Sequence, residues 1–351
     1  AQFLLTREID YIIKNEKIIL IDEFTGRTVK DRKWQHGLQM AVEAKEGVPI
    51  QAEGGIMGST SFPIFMKQYE KIAAMTATAI EAADEFAKVY GMQTVPIPPN
   101  VPCKRIDLPD LIFTNSASKQ NALISHILEI HQTGQPILVG THSVKESADL
   151  AKTLRKKGLK IELLNANNDE LEAEIIADAG AFGALTISTN MAGRGTDIKL
   201  GGKSGKSSER VRQLGGLHVI GTNRHESLRI DNQLKGRAGR QGDPGSSQFI
   251  VSFEDELMVK YKLKTLLPAK LSNLEQSEPL QIPVIPKRVM QSQRIIEGQM
   301  QDARKNLADY SAVLENQRVI FQQERQDYLL KLEDEISEEG RIKIQFIINQ
   351  Y

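Results

Sequence analysis

Residues 184–198 read ALTISTNMAGRGTDI, and this stretch decides the fold class. Its first part, Ala184–Thr189, is largely apolar or β-branched, which predicts a short buried strand. The following turn contains two glycines, whose backbone N–H groups can approach an anionic ligand closely. A buried strand that ends in such a turn is typical of parallel sheets, which bind ligands beyond the carboxyl ends of their strands.

Short strands that alternate with helices are also predicted on both sides of this stretch. Short apolar runs predict strands at 136–140, 161–164, 217–222 and 249–253. Helical patterns lie between them, and one follows a capping box in which Ser143 precedes Glu146 by three residues. Buried strands that alternate with helices predict a parallel α/β sheet covered on both faces.

The first 110 residues have a different organisation. Ile9–Ile13 and Lys17–Ile21 flank a polar turn and predict a β-hairpin. We expect helices at Arg32–Glu46, Phe62–Ile72 and Ala79–Tyr90. Five prolines then fall between residues 96 and 109, which predicts an extended linker because proline cannot continue a helix.

The last predicted element is a long helix from about Lys287 to Asp334. At 1.5 Å per residue it would reach about 70 Å. One apolar stripe follows its length with steps of three and four residues, which is typical of a coiled coil or a packing arm. Its members are Ile296, Met300, Ala303, Leu307, Tyr310 and Leu314.

Composition limits the possible functions. A chain of 351 residues predicts two to three domains. Forty-five basic and forty-five acidic residues give no net charge, which disfavours sequence-independent nucleic-acid binding. A single cysteine, Cys103, and no Cys/His cluster at zinc spacing indicate a reducing compartment and no metal site, and no apolar run reaches the length of a membrane span.

A second candidate motif lies at 233–243, QLKGRAGRQGD. Arg237 and Arg240 are three residues apart, so on a helical turn they would point the same way. Two convergent guanidinium groups suit the charge that develops on a transferring γ-phosphate.

Taken together, TNMAGRGTDI and QLKGRAGRQGD resemble motifs V and VI of superfamily 2 helicase-type ATPases, whose site lies between two RecA-like domains. Further strings resemble the SecA family of preprotein-translocating ATPases more narrowly. They are IDEFTGR at 21–27, EAKEGV at 43–48, MTATA at 75–79, ILVGTHSVKES at 137–147, LHVIGTNRHES at 217–227 and RIDNQL at 229–234. The short link between Gly202 and Gly215 leans toward the accessory SecA of Gram-positive bacteria.

This resemblance implies a division into four parts. Residues 1–25 would end the preprotein cross-linking domain, and 26–105 would complete the first nucleotide-binding domain. A second, RecA-like nucleotide-binding domain would span 106–265, and a helical scaffold would begin at 266–351.

The resemblance also implies roles for particular residues. Arg237 and Arg240 would be catalytic, and Thr76, Thr78, Glu70 and Arg304 would couple hydrolysis to movement. Glu70 and Arg304 would do so through a salt bridge between the motor and the scaffold helix. The cofactor would be ATP with Mg²⁺, and metal ligands are expected mainly in a part missing from this chain. The ATP-binding residues would be Gly193, Arg194, Gly195, Asp197 and Gln241.

No P-loop of the form G-x-x-x-x-G-K-[ST] occurs in the sequence. Two Gly-Lys-Ser triplets, at 202–204 and 205–207, mimic one, but Asp197 and Leu200 stand where the first glycine should be. We therefore expect a fragment that lacks its N-terminal part and does not hydrolyse ATP alone.

The implied partners are an unfolded preprotein, a SecY-type channel, an anionic membrane surface and a second copy of the protein. The implied location is the cytoplasmic face of the bacterial membrane, without nucleic acid. Two alternatives stay open: an RNA or DNA helicase, because motifs V and VI are shared across the superfamily, and an inactive binding scaffold.

Overall fold

The computed structural model describes residues 1–22, 28–29, 31–52, 59–164, 172–189, 196–266, 278–280, 284–330, 342 and 345–346. The chain divides into two compact units. The first contains Ala1–Gly55 and Ile97–Glu297, and the second contains Ile56–Pro96 and Gly298–Tyr351. The domain boundaries proposed from the sequence stay predictions.

The predicted hairpin near the N-terminus is confirmed. Strands β1 (Tyr11–Lys14) and β2 (Lys17–Ile21) pair antiparallel, and β3 (Thr28–Val29) pairs with β2. The turn residues Asn15 and Glu16 both have a positive φ, 53° and 57°, as a two-residue hairpin turn requires.

Helix α1 (Leu38–Glu46) packs on this small sheet, with Val42 buried against Tyr11. The predicted start at Arg32 is wrong by six residues. Gly37 occupies a left-handed conformation, φ 73°, directly before the helix, so the chain turns there.

The second, larger sheet confirms the predicted parallel α/β fold. Its strands are β4 (Lys104–Asp107), β5 (Leu111–Phe113), β6 (Ile137–Thr141), β7 (Glu162–Leu164), β8 (Leu185–Thr189), β9 (Leu217–Gly221) and β10 (Pro244–Ser252). Their order is β4-β10-β9-β6-β8-β7, β5 also pairs with β10, and every pairing is parallel.

Helices cover both faces of this sheet. Alternate residues of the central strands enter two separate cores; Leu138 joins one and Val139 the other. One core contains α4 (Ser116–Thr133) and α5 (Val144–Lys156). The other contains α6 (Glu172–Asp178), α7 (Ser208–Gln213), α8 (Leu228–Lys235), α9 (Glu256–Lys260) and the first turns of α10 (Val284–Leu330).

The capping prediction for α5 is confirmed with one difference. Ser143 Oγ accepts a hydrogen bond from Glu146 N at 3.1 Å. The Glu146 carboxylate returns to the N–H of His142, one residue before the cap, at 2.8 Å.

The second unit contains short helices and most of α10. Helix α2 (Phe62–Met66) ends well before the predicted Ile72, whereas α3 (Ala83–Tyr90) ends at Gly91 as predicted, after a 3₁₀ turn at Ile80–Ala82. Proline lies in the first turn of α2, where its missing N–H costs little.

The long helix α10 confirms the prediction of a rod. It spans 47 residues, about 70 Å at 1.5 Å per residue. Its apolar stripe is buried only at its start: Ile296 is buried, but Leu307, Tyr310 and Leu314 are exposed. In the described part of the chain, no helix has the length and hydrophobicity needed to cross a bilayer.

A buried histidine pair should make the stability of the sheet pH-dependent. His218 of β9 lies with its Nε2 atom 3.3 Å from Nε2 of His126 in α4, and its Nδ1 atom is 2.6 Å from Ser246 Oγ. Burial, with a smaller contribution from His126, lowers the pKa of His218 from 6.5 to about 4.

We therefore predict that the free energy of unfolding falls as the pH drops from about 6.5 toward 4. In this window the unfolded chain binds a proton that buried His218 does not, which costs about 2 kcal/mol between about pH 7 and about pH 5. His218→Asn should abolish most of that change in urea unfolding, whereas His36→Asn, at an exposed histidine with positive φ, should not. An unchanged pH dependence in His218→Asn would contradict the assignment.

Candidate active site

The first predicted motif starts where β8 ends at Thr189. Gly193, Arg194 and Gly195 lie outside the described residues. Thr196 is the next residue that the structure describes, and the side chain of Asp197 is half exposed.

The second motif begins in the last three residues of α8 and continues as a turn. Arg237 is buried, Gly239 has a left-handed φ of 68°, and Arg240 opens a 3₁₀ turn that ends at Gly242. Gln241 within that turn is exposed and has a positive φ of 53°.

The expectation that Arg237 and Arg240 share one helical face is wrong. The α-helix ends at Lys235, and the left-handed Gly239 interrupts the right-handed backbone between the two arginines. Three-residue spacing brings side chains together only while the backbone stays helical. The two guanidinium groups therefore have different environments, one buried and one about one-third exposed.

The structure nevertheless brings the two motifs together. Arg240 Nη1 donates to Asp197 Oδ1 at 2.9 Å, across 43 residues of sequence. Arg240 Nε also donates to the carbonyl oxygen of Gly236 at 3.0 Å, which fixes the direction of the side chain. One residue of each predicted motif thus contributes to a single ion pair.

This pair lies at the amino end of the strands, which differs from the expected carboxyl edge. Arg240 precedes Pro244, the first residue of β10, by four positions. The reason is topological: a helix that follows a parallel strand runs back antiparallel to it, so its C-terminus returns to the amino edge.

Gly239 permits a close approach between the arginine turn and β4. A Cβ atom at this position would lie 2.5 Å from Cβ of Arg105. Arg105 is itself held by Asp107 through two bonds of 2.7 and 3.2 Å. The turn therefore needs glycine for its backbone conformation and for space.

A buried ionic network lies at the other end of α8. Arg224 donates to both carboxylate oxygens of Asp110, at 2.6 to 2.9 Å, and to Asp231 Oδ2 at 3.0 Å. His225 Nδ1 lies 2.7 Å from Asp231 Oδ1, and Gln293 Nε2 donates to Asp231 Oδ2 at 2.8 Å.

Asp231 stays ionised in this network although it is fully buried. Burial raises the pKa of a carboxyl group, but the hydrogen bonds and charges of His225, Arg224 and Gln293 outweigh it and lower the pKa of Asp231. His225 Nδ1 must therefore carry the proton and donate. The strings NRHES and RIDNQL indicate the family resemblance, but no local pattern in them predicts this network.

Another network joins the carboxyl ends of β6, β9 and β10. Lys119 Nζ donates to Asp255 Oδ1 at 2.8 Å and to Asn223 Oδ1 at 3.1 Å. Asn223 Nδ2 in turn donates to Glu146 Oε2 at 3.2 Å. Burial raises the pKa of Asp255, and Lys119 only partly offsets this effect.

The predicted coupling residues lie in the second unit. Thr78 N donates to Thr76 Oγ1 at 3.3 Å, and both side chains lie in an irregular segment. Arg304 of α10 forms two bonds with Glu85 of α3, at 2.7 and 2.8 Å. Glu85 was not singled out from the sequence, and Glu70, the partner expected for Arg304, is exposed.

The described residues contain no cluster of three or more histidine, cysteine, aspartate or glutamate side chains suited to a metal ion. Among the predicted site residues, the side chains of Arg237 and Arg240 are hydrogen-bond donors, and guanidinium groups suit phosphate oxygens.

Comparison with protein families identifies the chain. Residues 1–43 match the SecA preprotein cross-linking domain, and residues 102–209 and 203–277 match the SecA P-loop domain. The chain belongs to the SecA family. These matches, with the parallel sheet, confirm a RecA-like nucleotide domain followed by a long helix.

A curated relative, the SecA subunit of the protein translocase of Desulforapulum autotrophicum, is 45% identical over 329 residues. The alignment covers 93% of this chain and 38% of the relative, so this SecA chain spans less than half of that protein. A solved structure, the C-terminal part of the Fun30 ATPase domain, shows 17% identity with a TM-score of 0.29. This structural match covers 52% of this chain and 54% of the Fun30 chain.

Gly239→Ala should destabilise the SecA fold more than Gly183→Ala. Both glycines have φ 68°, so each alanine carries a left-handed strain of about 1 kcal/mol. Only at Gly239 would the added methyl group also overlap Arg105, which should cost a further 1 to 3 kcal/mol or so. Urea unfolding of the two variants measures the difference, and equal losses would contradict the close approach.

Asp231→Asn should lower the free energy of unfolding by about 3 kcal/mol, because it removes the buried carboxylate charge that accepts hydrogen bonds from Arg224, His225 and Gln293. Asp243→Asn is the matched control. Asp243 pairs with Arg212 at 2.8 Å near the surface, where loss of the carboxylate should cost less than about 1 kcal/mol. Similar losses in the two variants would show that burial does not set the strength of the network.

Proposed function

We propose that this chain forms part of a motor that couples ATP binding and hydrolysis to the movement of unfolded preproteins through a SecY-type membrane channel. The observation that carries this proposal is membership of the SecA family over almost the whole chain. The Asp197–Arg240 ion pair supports it, because it joins the two motifs that the resemblance assigns to the nucleotide site.

The proposed cofactor is ATP with Mg²⁺. In the reaction, water attacks the γ-phosphorus and the bond to the β–γ bridging oxygen breaks, so that ADP and inorganic phosphate leave. Arg237 and Arg240 would stabilise the negative charge that builds on the transferring group. Arg240 is about one-third exposed, so a phosphate oxygen can reach its guanidinium group.

The remaining nucleotide contacts would come from the two motif loops. Gly193 and Gly195 would offer backbone N–H groups, and Arg194 would add charge. Asp197 would accept from a sugar hydroxyl or from metal-bound water, and Gln241 lies exposed beside Arg240.

Hydrolysis also requires a P-loop to hold the β- and γ-phosphates and the metal. Because the 351 residues contain no G-x-x-x-x-G-K-[ST] sequence, we propose that this element and most metal ligands lie in another part of the protein. The chain alone should therefore not hydrolyse ATP.

The proposed partners follow from the family. They are an unfolded preprotein, the channel, the anionic cytoplasmic surface of the membrane and a second copy of the protein. Thr76, Thr78, Glu70 and Arg304 are proposed to couple the nucleotide cycle to the scaffold helix.

Arg237→Ala and Arg240→Ala should each lower kcat of the intact ATPase by roughly 100- to 1000-fold, since each removes charge stabilisation from the transition state. The affinity for ATP should fall by less than about tenfold. Arg288→Ala, which removes an exposed arginine of α10, should leave both unchanged.

The molecule that stimulates the ATPase activity of the intact protein distinguishes this proposal from the alternatives. Stimulation by preprotein and channel supports a translocase, whereas stimulation by RNA alone would indicate a helicase. Failure of either arginine variant to change kcat would reject the proposed catalytic roles.

A further inference from the structure

Helix α8 has the arginine turn at one end and two contacts with α10 at the other. We propose that Gln293 and Glu297 of α10 are positioning residues for Arg237 and Arg240 and act through α8. The functional part of this inference depends on the proposed ATPase site, whereas the mechanical part does not. All the contacts involved lie in the first compact unit.

Glu297 accepts hydrogen bonds at the N-terminus of α8. Its Oε1 atom accepts from Ser227 Oγ at 2.7 Å and from Leu228 N at 3.0 Å. Ser227 is the N-cap residue, and its hydroxyl also accepts from Arg229 N at 3.3 Å. A carboxylate here satisfies a backbone N–H group that the helix leaves unpaired and interacts favourably with the helix dipole.

Gln293 binds the same segment one helical turn earlier. Its Nε2 atom donates to the carbonyl oxygen of His225 at 2.7 Å and to Asp231 Oδ2 at 2.8 Å. Both amide hydrogens are therefore used, and the side chain is 1% exposed. Residues four apart lie on one face of a helix, so α10 contacts α8 along a single edge.

Helix α8 is short and continuous with the arginine turn. Its eight residues extend about 12 Å and include neither glycine nor proline. Gly236 N donates to Asn232 O at 2.9 Å, and Arg237 N donates to Leu234 O at 3.0 Å. The backbone contains no break that could absorb a displacement before it reaches Arg237.

The sheet provides a fixed point beneath this helix. A Cβ atom at Gly140 of β6 would lie 2.8 Å from both terminal methyl groups of Leu234, so α8 packs directly on the strand there. If the hydrogen bond between Glu297 of α10 and Ser227 changes, α8 would therefore tilt about the contact between Leu234 and Gly140. The tilt would shift Arg240 relative to Asp197.

Hydrogen exchange of the full chain tests the mechanical step without nucleotide. Glu297→Ala should speed exchange by about tenfold in the first turn of α8 and also in residues 236–242. Glu297→Gln keeps the acceptor oxygen and should exchange like the unmodified chain. Asp302→Ala, at an exposed carboxylate five residues further along α10, is the control for loss of charge.

The residues at which exchange becomes faster distinguish the proposal from a simple helix cap. Faster exchange confined to 227–231, with 236–242 unchanged, would show a simple helix cap and overturn the proposal. If Glu297→Ala fails to fold, Glu297→Asp withdraws the carboxylate by one methylene group and should give the same pattern.

Steady-state ATPase kinetics of the intact protein test the functional step. Glu297→Ala should lower kcat by about tenfold, change KM for ATP by less than about threefold, and be rescued by Glu297→Gln. If exchange at 236–242 rises but kcat is unchanged while Arg240→Ala is also fully active, the ATPase assignment fails and the mechanical link stands. If kcat falls with Arg240→Ala but not with Glu297→Ala, the positioning role fails and the ATPase assignment stands.

Discussion

A carboxylate with no exposed surface dominates the arrangement of the larger sheet domain. Asp231 can stay ionised only if donors replace the water that burial removes. Arg224 and His225 come from the loop after β9, and Gln293 comes from α10, 62 residues further along the chain. These segments must therefore assemble together, because loss of any one donor leaves part of the charge uncompensated.

The path of the chain through a parallel sheet then places the arginines. Each covering helix returns the chain to the amino edge before the next strand begins, so α8 delivers Arg237 and Arg240 next to the start of β10. The other motif begins at the opposite edge, after Thr189, and Asp197 meets Arg240 eight residues later. The ion pair between the two motifs therefore lies at the amino edge of the sheet.

Sequence reasoning predicted what local chemistry determines. Buried strands such as Ile137–Thr141 have continuous apolar patterns, a polar turn at Asn15 and Glu16 separates two β-rich runs, and α10 has a sustained helical period. Sequence reasoning did not predict contacts between residues that are far apart in the chain. The pairing of Arg224 with Asp110 spans 114 residues, and no local pattern indicates it. The arginine turn was misread because residue spacing does not reveal the left-handed Gly239.

The two ends of α8 differ in how easily their ion pairs can be exchanged. At the N-terminal end the charges are buried, and removing one partner costs several kcal/mol, about 3 to 5. At the C-terminal end Arg240 and Asp197 are partly exposed, and such a pair contributes about 1 kcal/mol or less. An anion that competes for Arg240 therefore meets little resistance from Asp197, while α8 itself stays anchored. Helix α8 therefore has a buried ionic network at one end and a partly exposed ion pair at the other.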